Sequence, residues 1–359
     1  MFIGAVIIDA LYETGEPLEM AGGKYKLGES IPFKDGSHRT YQDVEYQYRP
    51  KTFLPEIIGG GGGNTGLSFG FLRHAHGLDA NCIVATKLGG GPQSQEARRQ
   101  LQARGVFVSD ALHAPRFNTM TNFVISGTDD RCILVDGRAY PDIYPGYEQE
   151  LRHLIAQTDI IFVHTRIPDL ALLGARIACE MDKTVIIDAS SYDETFERIL
   201  PYATHAFPPD EIILPSMNGE KNPHALMQYL GEFENIEYAA VTCGKDPTLL
   251  RRDDGSLQLL EVQASDDFQV IDRLAAGDVT RAVIVEEMIR QHIAGEPNDI
   301  EKAIRRGMLH GTFSAGFLGR DWEREYNPDT FKRVTGAKYP FSSFNAPEPH
   351  FFAKADLTY

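Results

Sequence analysis

The stretch Asp272-Arg-Leu-Ala-Ala-Gly-Asp278 sets an acid at the end of a small-residue turn, and the helical-looking run Val279 to Arg290 follows at once. In that run Val279, Ala282 and Val283 share one side, and Arg281, Glu286, Glu287 and Arg290 lie largely on the other. A turn that opens a helix points several backbone N–H groups and the positive end of the helix at one spot, which suits an anion. Gly277 permits positive φ or close approach, and Ala275 and Ala276 keep bulk away. Beside such an anion cradle, Asp278 can accept a proton from a hydroxyl that attacks a phosphoryl group held there. The local sequence serves equally well an Asp that only caps its helix.

Other residues of chemical promise lie elsewhere in the chain. Asp9 ends the β-branched run Phe2 to Ile8, a position where α/β sheets bind ligands, although an Asp also starts many turns. Gly59 to Gly63 is a five-glycine run followed by Asn64-Thr-Gly66 and apolar residues at helical spacing. Within it Gly61, Gly63 and Gly66 satisfy Gly-x-Gly-x-x-Gly, so a nicotinamide dinucleotide site competes. That reading is set aside because the fingerprint belongs to the first strand-to-helix turn, and here the first strand lies far upstream. His74 and His76, two positions apart on a helix, point away from each other and make no metal pair. Glu211 follows a strand end where ligands gather, and Asp210 and Glu211 read equally as solvated acids at a helix start.

The elements that must position these residues alternate regularly from Glu148 onward. Helices are expected at Glu148 to Gln157, Asp169 to Met181 and Pro223 to Leu230, and strands at Ile160 to Val163, Val185 to Ile187, Thr204 to Phe207 and Tyr238 to Thr242. Such alternation implies an α/β fold with a mostly parallel sheet covered by helices on both faces. Ligands then gather at the carboxyl ends of its strands, near Asp188, Glu211, Thr242 and Asp278. Earlier, Cys82 to Thr86 reads as a strand, Gln95 to Arg104 as a surface helix, and Asn118 to Ile125 with Arg131 to Val135 as paired strands. Residues 11–58 lack helical periodicity; Val44, Tyr46 and Tyr48 alternate with polar neighbours as a half-exposed strand does. Leu249 to Arg252 and Leu257 to Val262 read as a hairpin, and Asn298 with Glu301 as a capping box for a last core helix to about Leu318.

Taken together these features resemble the PfkB (ribokinase-like) carbohydrate kinases. The second signature of that family, Asp-Thr-x-Gly-Ala-Gly-Asp, is matched at Asp272, Ala276, Gly277 and Asp278, with Arg273 in place of Thr and Ala275 in place of Gly. The resemblance implies that Asp278 is the catalytic base and that the amides of Ala275, Ala276 and Gly277 form the anion hole. Gly4 and Asp9 have the spacing of the family's first strand, whose Asp holds substrate hydroxyls, and Gly62, Gly63 and Asn64 match the Gly-Gly-Asn that lets a sugar approach the backbone. Leu67 stands where a second Asn is usual. Thr242-Cys-Gly244 is similar to the Thr-x-Gly that meets nucleotide phosphates, and Glu211 occupies the Glu of Asn-x-x-Glu, which orders magnesium through water, with Pro208 at the Asn position. Arg273 could pair with Asp272 or Asp278, or reach a phosphate. The implied layout is a ribokinase-like core at 1–10 and 59–330, a β-sheet lid inserted at 11–58 to which 113–136 adds strands, and a tail at 331–359 that packs on the core or on a neighbouring subunit. The implied activity is ATP- and Mg2+-dependent phosphorylation of a small sugar or nucleoside, with a homodimer through the lid among its consequences. A sugar- or nucleotide-binding regulator that has lost turnover is the alternative suggested by the substitutions.

Composition sets outer bounds. A formal charge of −16 argues against nucleic acid or an anionic membrane as partner, since either favours a basic face. The cysteines Cys82, Cys132, Cys179 and Cys243 make neither a zinc spacing nor a Cys-x-x-Cys pair, which suits reduced thiols and a cytoplasmic location. No apolar run approaches the roughly 20 residues that cross a bilayer, and the N-terminus has no basic region ahead of an apolar one.

Overall fold

The computed structural model describes residues 1–13, 30–33, 52–53, 57–126, 131–136, 139–252, 254–262, 264–265, 268–273, 275–317, 320–341 and 344–345. Most of the expected lid, including Val44, Tyr46 and Tyr48, lies outside them.

The first apolar run is not one strand. It divides into β1 (Phe2–Ile3) and β2 (Ile7–Glu13), which belong to different sheets. The sequence shows a single run because both pieces are buried, but the backbone crosses between sheets at Gly4, Ala5 and Val6. Asp9 therefore stands in the second sheet, not at the carboxyl end of a central strand. In order along the chain, the other strands are β3 (Ser30–Phe33), β4 (Thr52–Phe53), β5 (Ile57–Gly59), β6 (Cys82–Thr86), β7 (Val106–Asp110), β8 (Thr121–Ser126), β9 (Arg131–Asp136), β10 (Ile160–His164), β11 (Thr184–Asp188), β12 (His205–Ala206), β13 (Tyr238–Cys243), β14 (Asp246–Arg251) and β15 (Leu257–Leu260). The main helices are α1 (Gly61–Ala75), α2 (Pro92–Ala103), α3 (Tyr147–Ala156), α4 (Pro168–Glu180), α5 (Glu194–Ile199), α6 (Pro223–Leu230), α7 (Ala276–Ala294), α8 (Ile300–Ala315), α9 (Asp321–Glu325) and α10 (Pro328–Thr335).

The central sheet has the order β15-β14-β13-β12-β11-β10-β1-β6-β7 and is parallel from β13 to β7, with the antiparallel hairpin β14–β15 at one edge. Burial on both faces follows from the strand period: Ile161 and Val163 enter one apolar cluster with α4 and α6, whereas Ile160 and Phe162 enter the other with α1, α7 and α8. The smaller sheet runs β3-β9-β8-β2-β4, with β5 also on β2.

The surface helix α2 starts at Pro92, ahead of the expected Gln95, and two later helices differ from expectation as well. The last core helix is capped by Asp299, whose side chain accepts from Lys302 N, and not by Asn298; it ends at Ala315. Helix α7 starts at Ala276 and its polar side is buried as well, because α1, α8 and the C-terminal segment surround it. Glu286 meets His76 at 2.8 Å, Glu287 meets Lys302 at 2.9 Å and also Arg306, and Arg281 meets Asp188 at 2.9 Å. Paired charges in a surrounded helix look in sequence like a solvated face. The C-terminal segment completes this layer: Trp322, Tyr326 and Phe331 are buried, and Phe71 packs edge-on against Trp322. The described part of the tail thus packs on the core.

Candidate active site

Two helix N-termini meet around Asp278. Helix α1 begins inside the glycine run, so Asn64 and Thr65, both buried, lie in its first turn. The Thr65 hydroxyl donates to Asp278 Oδ1 at 3.2 Å, and the Asn64 side chain is hydrogen-bonded to the same carboxyl. Burial pushes the Asp278 carboxyl up to about 6, against the opposing pull of Arg281, Asn64, Thr65 and Arg320. A carboxylate poised near neutrality and set in a helix start is suited to taking a proton.

The turn before it differs from the sequence reading in one respect. Gly277 is helical, and the residue with positive φ is Ala275, at φ 62° and ψ 2°. A side chain in that region is strained, by about 1 kcal/mol or more. Ala276 N donates to Arg273 O at 3.3 Å, which leaves the amides of Gly277 and Asp278 as the start-of-helix donors without an intrahelical partner. What Gly277 provides is space: a Cβ there would lie 2.4 Å from Arg281 Nη1.

Arg281 lies on the side of α7 that the sequence marks as polar, yet it is 6% exposed and folds back along the helix toward its start. Its Nε lies 2.9 Å from Asp188 Oδ2, at the carboxyl end of β11. Its Nη2 donates a long hydrogen bond, 3.5 Å, to Phe207 O. Burial raises the Asp188 carboxyl to about 7 despite Arg281, with the Asp278 charge adding to the rise. Asp188 Oδ1 is buried without a hydrogen-bond partner among the described residues. His164, which ends β10 next to Asp188, packs against Gly61, and its Nε2 is 3.1 Å from Ser190 Oγ. Burial, then Arg281 and Arg166, push this imidazole down to about 3, so it is neutral at physiological pH.

A second cluster lies along the sheet. Pro209 bridges Thr242, Thr242 N donates to Pro208 O at 3.1 Å, and Asp210 N donates to Thr242 O at 2.9 Å. Gly244 turns the chain out of β13 at φ 60°. The segment 208–211 and Thr242-Cys-Gly244 are thereby one local unit, joined to the cradle through Phe207 and Arg281. Glu211 is exposed and, like Asp210, meets Lys221, at 3.1 and 3.2 Å. Burial pushes Glu211 up, but hydrogen bonds from Lys221 outweigh it and hold the carboxyl below its ordinary value; Asp210 is raised by burial and by Glu211. Adjacent carboxylates sharing one lysine fit Mg2+, which commonly keeps its waters and takes only one or two protein carboxylates beside phosphate oxygens. Arg273 is exposed at the mouth of the turn, and the cations acting on Asp278 are Arg281 and Arg320.

On the opposite side, Gly62 and Gly63 approach the crossing segment. A Cβ on Gly62 would lie 2.7 Å from Gly4 backbone atoms, one on Gly63 would lie 2.9 Å from Ile58, and Gly63 N donates to Ala5 O at 2.9 Å. Close packing of the chain on itself already requires these glycines. Asp9 is buried against Gly59 and accepts from Asn122 Nδ2 at 3.1 Å. The structure therefore brings Asn64 to Asp278 directly, Gly62 and Gly63 to the crossing, and Asp9 to the second sheet. Thr65, Arg281, His164 and Arg320 join the site without a motif to mark them; for Arg281, an Arg at helical spacing from Gly277, one turn beyond Asp278, is the available signal.

Residues 59–317 match the model described as the pfkB family of carbohydrate kinases. No curated protein matches this sequence. Among solved structures, the adenosine kinase of Anopheles gambiae superposes with a TM-score of 0.70 at 16% identity, covering 90% of this chain and 97% of its own. A microbiome-derived acarbose kinase gives 0.66 at 16% identity, with 93% and 97% covered. The ribokinase of Giardia lamblia gives 0.66 at 14%, with 90% and 95% covered. At such identities these likenesses establish an α/β, ribokinase-like fold.

Proposed function

We propose that this chain, which belongs to the pfkB family of carbohydrate kinases, transfers the γ-phosphoryl group of ATP to a hydroxyl of a small sugar or nucleoside. The observation that carries the reading is Asp278: a carboxyl held near 6 at the first turn of α7, tied to Asn64 and Thr65 of α1 and preceded by a strained turn. As the acceptor oxygen attacks γ-phosphorus, its proton passes to Asp278. The bond from γ-phosphorus to the bridging oxygen breaks, and ADP leaves with that oxygen. Amides of Gly277 and Asp278 and the start of α7 face the negative charge that spreads over the phosphoryl oxygens. Thr242 and Gly244 flank the remaining phosphates, and Asp9, Gly62, Gly63 and Asn64 border the acceptor. Glu211, with Asp210 beside it, would hold Mg2+, whose positive charge would offset part of that negative charge. Neighbours as different as adenosine, acarbose and ribokinase-type enzymes leave the acceptor open within hydroxylated small molecules.

A binding or regulatory role without turnover is the second reading, favoured by the Ala276 amide turning to Arg273 O. Incubation with ATP, Mg2+ and a panel of sugars and nucleosides separates the two. Acceptor-stimulated ADP release that vanishes in Asp278→Asn supports the kinase. Nucleotide or sugar binding with no release across the panel supports the regulator.

A further inference from the structure

Arg281 has an arrangement that packing alone does not explain. It is a cation at the positive end of α7, where a helix start disfavours it, and it is almost wholly buried. The carboxylate opposite it contributes an ion pair without a well-aligned hydrogen bond: Arg281 Nε and Asp188 Oδ1 are both buried and lack hydrogen-bond partners among the described residues. The guanidinium is held at two ends, by Asp188 from β11 and by the Phe207 carbonyl that leads into 208–211. Its third corner, Nη1, lies against Gly277 in the first turn of α7 and makes no hydrogen bond among the described residues. A side chain on Gly277 would fill this space, so the glycine and the arginine fit as a pair. His164, beside Asp188, is neutral and adds no charge there.

Building on the kinase reading above, we propose that Arg281 is a catalytic residue whose Nη1 donates to the phosphoryl group in transit, while Asp188 and the Phe207 carbonyl act as its positioning groups. The start of α7 then offers the migrating group both amides and a fixed, planar cation. A contact made to the γ-phosphoryl oxygens is available with ATP and absent with ADP.

The test compares Mg2+ complexes of ADP and of a non-hydrolysable ATP analogue by titration calorimetry, in the native chain and in Arg281→Met. Loss of one charge-assisted contact should weaken the analogue roughly ten- to a hundred-fold and leave ADP within about three-fold. Since Arg281→Met strands the Asp188 carboxylate, the double variant Asp188→Asn, Arg281→Met is measured beside it; the stranded charge at Asp188 is then gone, and Asp278 keeps Asn64, Thr65 and Arg320. Arg281→Lys should recover part of the analogue's affinity. Equal weakening of both ligands, or no change in either, overturns the assignment. If the native chain binds neither nucleotide, the kinase reading itself falls, and this inference with it.

Discussion

Replacing Asp278 by Asn should make the protein more stable while abolishing turnover. The carboxyl sits at about 6 against an ordinary 3.8, chiefly because it is buried. At 1.36 kcal/mol for each tenfold change in proton affinity, keeping it ionised in the folded chain costs about 3 kcal/mol. The sign follows from proton binding. The folded state holds this proton more tightly than the unfolded state, so the group favours folding below about 4, and that contribution is lost as pH rises through 6. Asn does not titrate and can keep accepting from Thr65, so the variant escapes the loss. Removing the Asp278 charge also relieves Asp188, which that charge raises, and the relief acts in the same direction. Urea unfolding of both proteins from pH 4 to 8 should show a gap that is near zero at pH 4 and opens to between about 1 and 3 kcal/mol at pH 7.5, in favour of the variant. A gap independent of pH, or a variant less stable at pH 7.5, would refute the burial argument and with it the case that Asp278 is poised for proton transfer.

The same carboxyl should set the acid limb of the kcat/KM profile, with activity rising through about pH 6; Thr65→Val, which removes a donor to its charged form, should move that limb to higher pH. Gly62→Ala puts a Cβ 2.7 Å from Gly4 backbone, where nothing flexible can give way, and should cost about 1–3 kcal/mol in urea unfolding. Trp322→Ala opens the layer over Phe71 and should cost about 3–5 kcal/mol by the same measurement. Glu211→Gln should raise the Mg2+ concentration needed for half-maximal velocity several-fold while leaving unfolding unchanged, because its side chain is exposed and the lysine it meets, Lys221, is half exposed too.

The alternation that begins at Glu148 is legible as a parallel, doubly covered sheet because continuous apolar strands and amphipathic helices report burial directly. The helix start at Asp278 is legible because its turn is short and local. What the sequence hides is set by tertiary pairing. Arg281, Glu286 and Glu287 read as solvent-facing because their partners Asp188, His76, Lys302 and Arg306 lie on other elements. The break after Ile3 is hidden because residues on both sides of it are equally apolar and equally buried. The positive φ falls on Ala275 and not on Gly277, which is helical and leaves space beside Arg281. Asp299 replaces Asn298 as the cap by one position, a shift that local propensity does not resolve.

The passage of the chain from β1 to β2 has a mechanical meaning. Gly4, Ala5 and Val6 are the axle on which the smaller sheet is mounted, and the same three residues bear on Gly62 and Gly63, immediately ahead of Asn64. A swing of the smaller sheet would press first on the opening turn of α1, and through Asn64 and Thr65 on the carboxyl they hold. On the proposed kinase reading, grip on an acceptor and readiness of Asp278 would then be geared together through a few glycines.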